Sequence, residues 1–158
     1  MKRNKILPVN ILLKIISSLK KRGKKIVFTN GCFDLLHIGH ITYLNKAKQL
    51  GDILVVALNS DSSVKAIKAK NRPINKLSDR MAVIAALECV DYACSFNQPT
   101  PLILIKKIAP DILVKGGDWK KKDVIGADFV KSRGGRIVTI KFVKGHSTTG
   151  LIKKILSL

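Results

Sequence analysis

Short apolar runs rich in β-branched residues alternate with longer stretches of helical period along the whole chain, and this alternation most limits what it can fold into. "KIVFTN" (Lys25 to Asn30), "DILVVALN" (Asp52 to Asn59), "DYACSF" (Asp91 to Phe96), "DILVKGG" (Asp111 to Gly117) and "RIVTIK" (Arg136 to Lys141) read as five buried strands. Helical spacing is predicted over Pro8 to Arg22, Ile38 to Leu50, Ser62 to Lys70, Ser78 to Glu88, Pro101 to Ala109, Val124 to Ser132 and Thr148 to Leu156. Ser78 is expected to cap its helix, with Asp79 in the first turn and Arg80 held near the start. Strand following helix in this order predicts an α/β fold, a Rossmann-like open parallel five-stranded sheet with helices on both faces, in a single domain.

Ligands of such sheets bind in the crevice beyond the carboxyl ends of the strands. The unusual residues of this chain cluster there: "NGCFD" after the first strand, "NSD" after the second, "SFNQ" after the third, "KGGDW" after the fourth and "KGHSTT" after the fifth.

Composition removes several alternatives. No apolar run approaches the ~20 residues that span a bilayer, and the basic N-terminus is followed by a stretch broken by Pro8, Asn10 and Lys14. A cytoplasmic protein without a signal peptide or a membrane partner is expected. Cys32, Cys89 and Cys94 match neither a redox pair nor a zinc knuckle, so free thiols and no structural metal are expected. The net charge of +20 invites a nucleic-acid reading. Against it, 24 of the 30 basic residues are lysine, and the few aromatics do not interleave with the basic clusters. A specific nucleic-acid partner is not expected, and charge of this sign also favours capture of small anions.

The stretch "TNGCFDLLHIGH" carries the chemistry. If a helix begins near His37 or Ile38, its first N–H groups face the ligand side and form an anion site before any side chain is counted. His37 and His40 are three residues apart on one helix face, and Gly39 between them adds no side chain to obstruct a ligand or a neighbouring element. That is a geometry for holding phosphates.

"GCFDLLHIGH" resembles the first signature of the nucleotidyltransferase superfamily, and "HSTTGLI" (His146 to Ile152) resembles its second. The likeness runs from Lys24 to Leu156. It assigns 24–158 to a nucleotidyltransferase domain and leaves 1–23 as an N-terminal helix. With "VALNSD", "RPI", "SDRMAVIAAL" and "DILVKGGDW", the chain is most similar to the adenylyltransferases that act on D-glycero-β-D-manno-heptose 1-phosphate. The resemblance implies transfer of AMP from ATP to a sugar 1-phosphate with release of pyrophosphate, Mg²⁺ being carried by the nucleotide and not by a protein metal site. A phosphate monoester is largely dianionic at neutral pH and attacks without a general base, which leaves alignment and charge stabilisation to the protein.

By the same resemblance, His37 and His40 are catalytic donors to the α- and β-phosphate region, and Ser147, Thr148 and Thr149 hold the β- and γ-phosphates. A plain helix cap is the competing role for Ser147 or Thr148. Thr29, Asn30, Gly31, Cys32, Phe33 and Gly39 bring backbone to the nucleotide. Asp34 orients a histidine, contacts the metal through water, or serves as a structural cap. Arg80 matches an arginine that related cytidylyltransferases use near phosphate, and Lys65 or Lys68 lies where they place a catalytic lysine, with Lys65 preferred. Lys115, Gly116 and Asp118 approach the base or ribose, while Asn59, Asp61 and Trp119 meet the acceptor. His146 stands where the heptose enzymes often have cysteine and is assigned no catalytic role.

Two departures bear on the substrate and the chain's partners. Cytidylyltransferases of glycerol phosphate carry an R-T-E-G segment where this chain has "FVKG", with Lys144 the nearest cation. That weighs against CTP with glycerol 3-phosphate, the alternative substrate pair. Many heptose enzymes also carry a sugar kinase domain, for which 158 residues leave no room. A separate kinase in the same pathway is therefore expected, as is a homo-oligomer, a dimer or larger, on family precedent. "HIGH" also marks class I aminoacyl-tRNA synthetases, but their anticodon-binding parts and lysine-rich loop have no counterpart here. A basic nucleic-acid-binding module explains the charge but not two phosphate motifs at separate strand ends.

Overall fold

β1 (Ile26–Gly31) lies at the centre of one parallel sheet whose strand order is β3-β2-β1-β4-β5, with β2 (Ile53–Asn59), β3 (Tyr92–Phe96), β4 (Ile112–Gly116) and β5 (Arg136–Ile140). The helices are α1 (Val9–Lys21), α2 (Ile38–Lys48), α3 (Asp61–Ile67), α4 (Leu77–Ala86), α5 (Leu102–Ile108), α6 (Ala127–Ser132) and α7 (Thr148–Leu156). The computed structural model describes residues 4–68, 71–117, 120, 123–141, 143 and 145–158.

The winding reverses between β1 and β4, and the two strands pair in register only at Val27 with Ile112 and Phe28 with Leu113. β1 and β2, by contrast, stay in register from Ile26–Ile53 to Gly31–Leu58. The short pairing leaves the carboxyl ends of β1 and β4 free to frame an opening.

Alternation along each strand builds two cores, one per face. Ile26, Phe28, Val55 and Ala57 face α1, α5 and α6 through Leu12, Ile16, Leu104, Ile108 and Val130. Val27, Leu54, Val56 and Leu58 face α2 and α4 through Tyr43, Leu44, Met81 and Ile84. All five expected strands are present, and Thr148 to Leu156 is helical over the expected span.

One expectation is corrected. α4 is capped by Lys76 without a side-chain bond, and the Leu77 N–H is met at 3.2 Å by the Asp61 carboxylate from α3, so Ser78 lies inside the first turn and donates to Asp79. The N-terminal segment packs against the rest of the chain. Leu12 and Ile16 of α1 belong to the main core, and residues ahead of α1 pair with β3 through Ala93 N–H to Lys5 C=O (2.8 Å) and Leu7 N–H to Ala93 C=O (3.0 Å). Among the described residues, no helix is long and apolar enough to cross a membrane.

Candidate active site

The chain leaves β1 through Phe33, which is buried and takes φ +45°, a left-handed conformation unusual for an aromatic residue. That turn sends the next residues back over the sheet and lets α2 begin at Ile38 with extended His37 as its N-cap. The rings of His37 and His40 stack with centroids 3.9 Å apart, and the edge of Phe33 meets His40 at 5.4 Å. An alanine Cβ at position 39 would lie 2.9 Å from His37 Nδ1, so the glycine is the seat of the first imidazole.

Both histidines carry a buried Nδ1 without a hydrogen-bond partner among the described residues. Burial lowers the pKa of His40 to about 4, helped by its neighbour His37, and burial together with His146 lowers that of His37. Both rings are therefore neutral at pH 7. A neutral imidazole still donates one hydrogen bond, and an unmatched polar atom in a cleft is suited to a polar ligand.

The rings open onto a cleft of about 670 Å³ across the carboxyl ends of the strands, within the range of small-molecule sites. The first wall is formed by Asn30, Gly31, Cys32, Phe33 and Asp34, with His37, Gly39 and His40 at the helix start. Lys115 and Gly116 supply the β4 side, and the Lys115 ammonium, its pKa lowered by burial, donates to Asn30 Oδ1 at 3.1 Å. Ser147, Thr148 and Thr149 close the far end from the start of α7. There Ser147 caps the helix by accepting from Gly150 N–H, and the Thr148 hydroxyl donates to the Leu35 carbonyl at 3.2 Å. The two signature segments, over a hundred residues apart, share one cavity.

Other expected residues sit elsewhere. Thr29 is fully buried with its hydroxyl 2.6 Å from that of Tyr43, so only its neighbours face the cleft. Lys65 is exposed on α3 away from the cleft, whereas Lys68 is on its wall. Asn59 does reach the wall, and it donates to Ser63 Oγ. Asp61 does not: its carboxylate is bound to Arg80 and Leu77 N–H.

Arg80, expected at a phosphate, is enclosed with a side-chain exposure of 0%. It donates to the carbonyls of Cys32, Asn59 and Asn75 and to Asp61, which ties the ends of β1 and β2 to the start of α4. Asp34, expected near a histidine or a metal, instead accepts from Arg72 Nε at 2.5 Å and from the N–H groups of Ile74 and Asn75 at 2.9 Å. Burial alone would raise its pKa, but these hydrogen bonds outweigh burial and hold it below the usual range. Asp118 and Trp119, like Lys144, lie outside the described residues.

The cleft also uses residues that sequence reasoning left unassigned: Tyr43, Arg72, Pro99, Pro101, Asp123 and His146. The string "RPI" entered only as part of the resemblance, and nothing in the order of residues joined Arg72 to Asp34. Among the described residues, no group of three or more His, Cys, Asp or Glu is placed to hold a metal ion.

The family model described as Cytidylyltransferase-like matches residues 28–149, from β1 to the start of α7. The chain belongs to the cytidylyltransferase-like family. Within that family it is 51% identical over 154 residues to the bifunctional protein HldE of Citrifermentans bemidjiense, covering 98% of this chain and 32% of the relative. It is 54% identical over 152 residues to HldE of Helicobacter hepaticus, covering 96% and 30%. The chain thus spans about a third of the length of these curated relatives. Among solved structures, the lipopolysaccharide core biosynthesis protein from Thermoplasma volcanium matches with a TM-score of 0.62 at 30% identity, over 78% of this chain and all of that one. Pantoate-beta-alanine ligase from Francisella tularensis matches with a TM-score of 0.59 over 97% of this chain and 79% of that one, and at 16% identity it shares the cytidylyltransferase-like chain's fold alone.

Proposed function

We propose that this cleft transfers AMP from ATP to a sugar 1-phosphate, D-glycero-β-D-manno-heptose 1-phosphate, as a cytoplasmic step towards lipopolysaccharide heptose. The observation that carries the reading is the meeting of the His37–His40 pair and the Ser147–Thr149 helix start in one cavity at the reversal of the sheet. Identity of about half with the HldE relatives supports the choice of substrate, as does "FVKG" in place of the cytidylyl segment.

An oxygen of the sugar phosphate attacks the α-phosphorus of ATP, the bond to the bridging oxygen of the β-phosphate breaks, and pyrophosphate leaves with that electron pair. His37 and His40 donate to the phosphate oxygens as charge shifts towards the leaving group, and the α7 N–H groups with Thr148 and Thr149 hold the pyrophosphate end. Mg²⁺ would arrive on the phosphate oxygens of ATP and neutralise part of their charge. A separate sugar kinase is expected to act in the same pathway.

Pyrophosphate release should be measured with ATP and CTP against heptose 1-phosphate and glycerol 3-phosphate. ATP with the heptose should win, and His40→Ala should lower kcat about 10²–10³-fold with little change in ATP affinity. Preference for CTP with glycerol 3-phosphate would replace this reading with the cytidylyl one. Equal losses in kcat and ATP affinity would reduce His40 to a ground-state contact.

A further inference from the structure

The cleft has cations on both flanks of β1, and the strand order separates them. Lys115 and the Ser147–Thr149 turn follow β4 and β5, whereas Lys68 and Arg72, which also line the cleft, follow β2 on the other side of β1. The histidines follow central β1 and stand between. Displacement at phosphorus places the attacking and leaving oxygens roughly in line. With pyrophosphate on the β4–β5 flank, the acceptor enters from the other.

Arg72 is prepared for a ligand on that side. Its Nε is bound to Asp34, whose side chain is completely enclosed, and the Arg72 side chain is itself only 14% exposed. Ile74 and Asn75 N–H groups fix the carboxylate in turn. No described residue accepts from the two terminal nitrogens of Arg72, so the planar outer edge that matches a phosphate is unmatched on the cleft wall. Lys68 and Cys32 line the same cleft as Arg72, and the charges of Lys68, Arg80 and Arg72 all lower a Cys32 pKa that burial raises.

Resting on the reading above, we infer that the terminal nitrogens of Arg72 bind the phosphate monoester of the acceptor, and that Asp34 is the positioning residue that aims them. Arg72 is then the residue that selects a phosphorylated acceptor, and the triphosphate does not depend on it.

Arg72→Gln keeps an N–H for Asp34 but loses the fork, and Arg72→Lys keeps the charge but loses the paired geometry. Both should raise the acceptor KM roughly 10- to 100-fold, with the ATP dissociation constant moving less than about threefold in calorimetry. Asp34→Asn should raise the acceptor KM by a smaller factor, again at constant ATP affinity, whereas a merely structural role would shift both constants. Titration with heptose 1-phosphate and glucose 1-phosphate, with and without a non-hydrolysable ATP analogue, separates this inference from the proposed reaction. Sugar phosphate binding that depends on Arg72, without turnover of ATP, sustains the inference and overturns the reaction. Turnover by the wild type with an unchanged acceptor KM in the Arg72 variants, or loss of ATP binding in its place, overturns the inference alone. No binding of either monoester by the wild type overturns both.

Discussion

Replacing Arg80 with methionine decides whether this guanidinium serves the fold or the substrate. Methionine fills much of the volume but donates nothing. It strands the carbonyls of Cys32, Asn59 and Asn75, bonded at 2.6, 2.9 and 3.0 Å, and the Asp61 carboxylate at 2.7 Å. Each carbonyl left unmatched costs about 1 kcal/mol, while Asp61, with 38% side-chain exposure, recovers part of its loss from water. The sum is about 3–5 kcal/mol, the range found when one partner of a buried ion pair is removed. For a domain of this size that lowers Tm by roughly 6–20 °C. Urea unfolding of the wild type, Arg80→Met and Arg80→Lys gives the measurement, and lysine should recover less than half of the loss. A stability change below about 1 kcal/mol together with a collapse of kcat would refute the reasoning and return Arg80 to the phosphates.

Three further outcomes follow from the histidine pair. The imidazole of His40 should titrate near pH 4 by NMR in the free protein and move upward when ATP binds; a midpoint near the ordinary 6.5 would contradict the burial argument. Because its folded pKa lies below the unfolded value, the unfolded chain takes up the proton first, and stability falls as pH drops from 6.5 towards 4. After discounting for partial exposure, the loss is about 1–2 kcal/mol, measurable by urea unfolding at a series of pH values. Gly39→Ala improves helix propensity by up to ~1 kcal/mol, yet its Cβ needs the place held by the His37 ring. Turnover should fall roughly 10- to 100-fold at unchanged or higher Tm, and a fully active variant would show that the ring has other productive positions.

The sheet was legible because its strands are buried on both faces and so appear as continuous apolar runs between helices of the right length. The two helix starts of the cleft were legible because each signal is local: "HIGH" carries its helix start with it, and "HSTT" its cap. What a charged side chain binds was not. Arg80 looked like a ligand because it matches an arginine that related cytidylyltransferases use near phosphate, but its acceptors come from the ends of two strands and a loop. Asp34 looked free to serve a histidine until the loop through Arg72, Ile74 and Asn75 closed over it. Ser78 had the right chemistry for a cap and lost the place to the side chain of Asp61, which accepts from the Leu77 N–H 16 residues further on. The pairing at Ile6 is too short to show any period.

That last pairing matters to anyone who wants to cut the chain. Shortened to the stretch matched by its family, 28–149, it would begin within β1. The outer border of β3 would then lose its cover, inviting other molecules to add on there, while Phe28 and Tyr92 would lose the packing of Leu12 and Ile16. Such a fragment should precipitate or self-associate. If it instead stays monomeric in gel filtration, the first two dozen residues are ornament and not part of the folding unit.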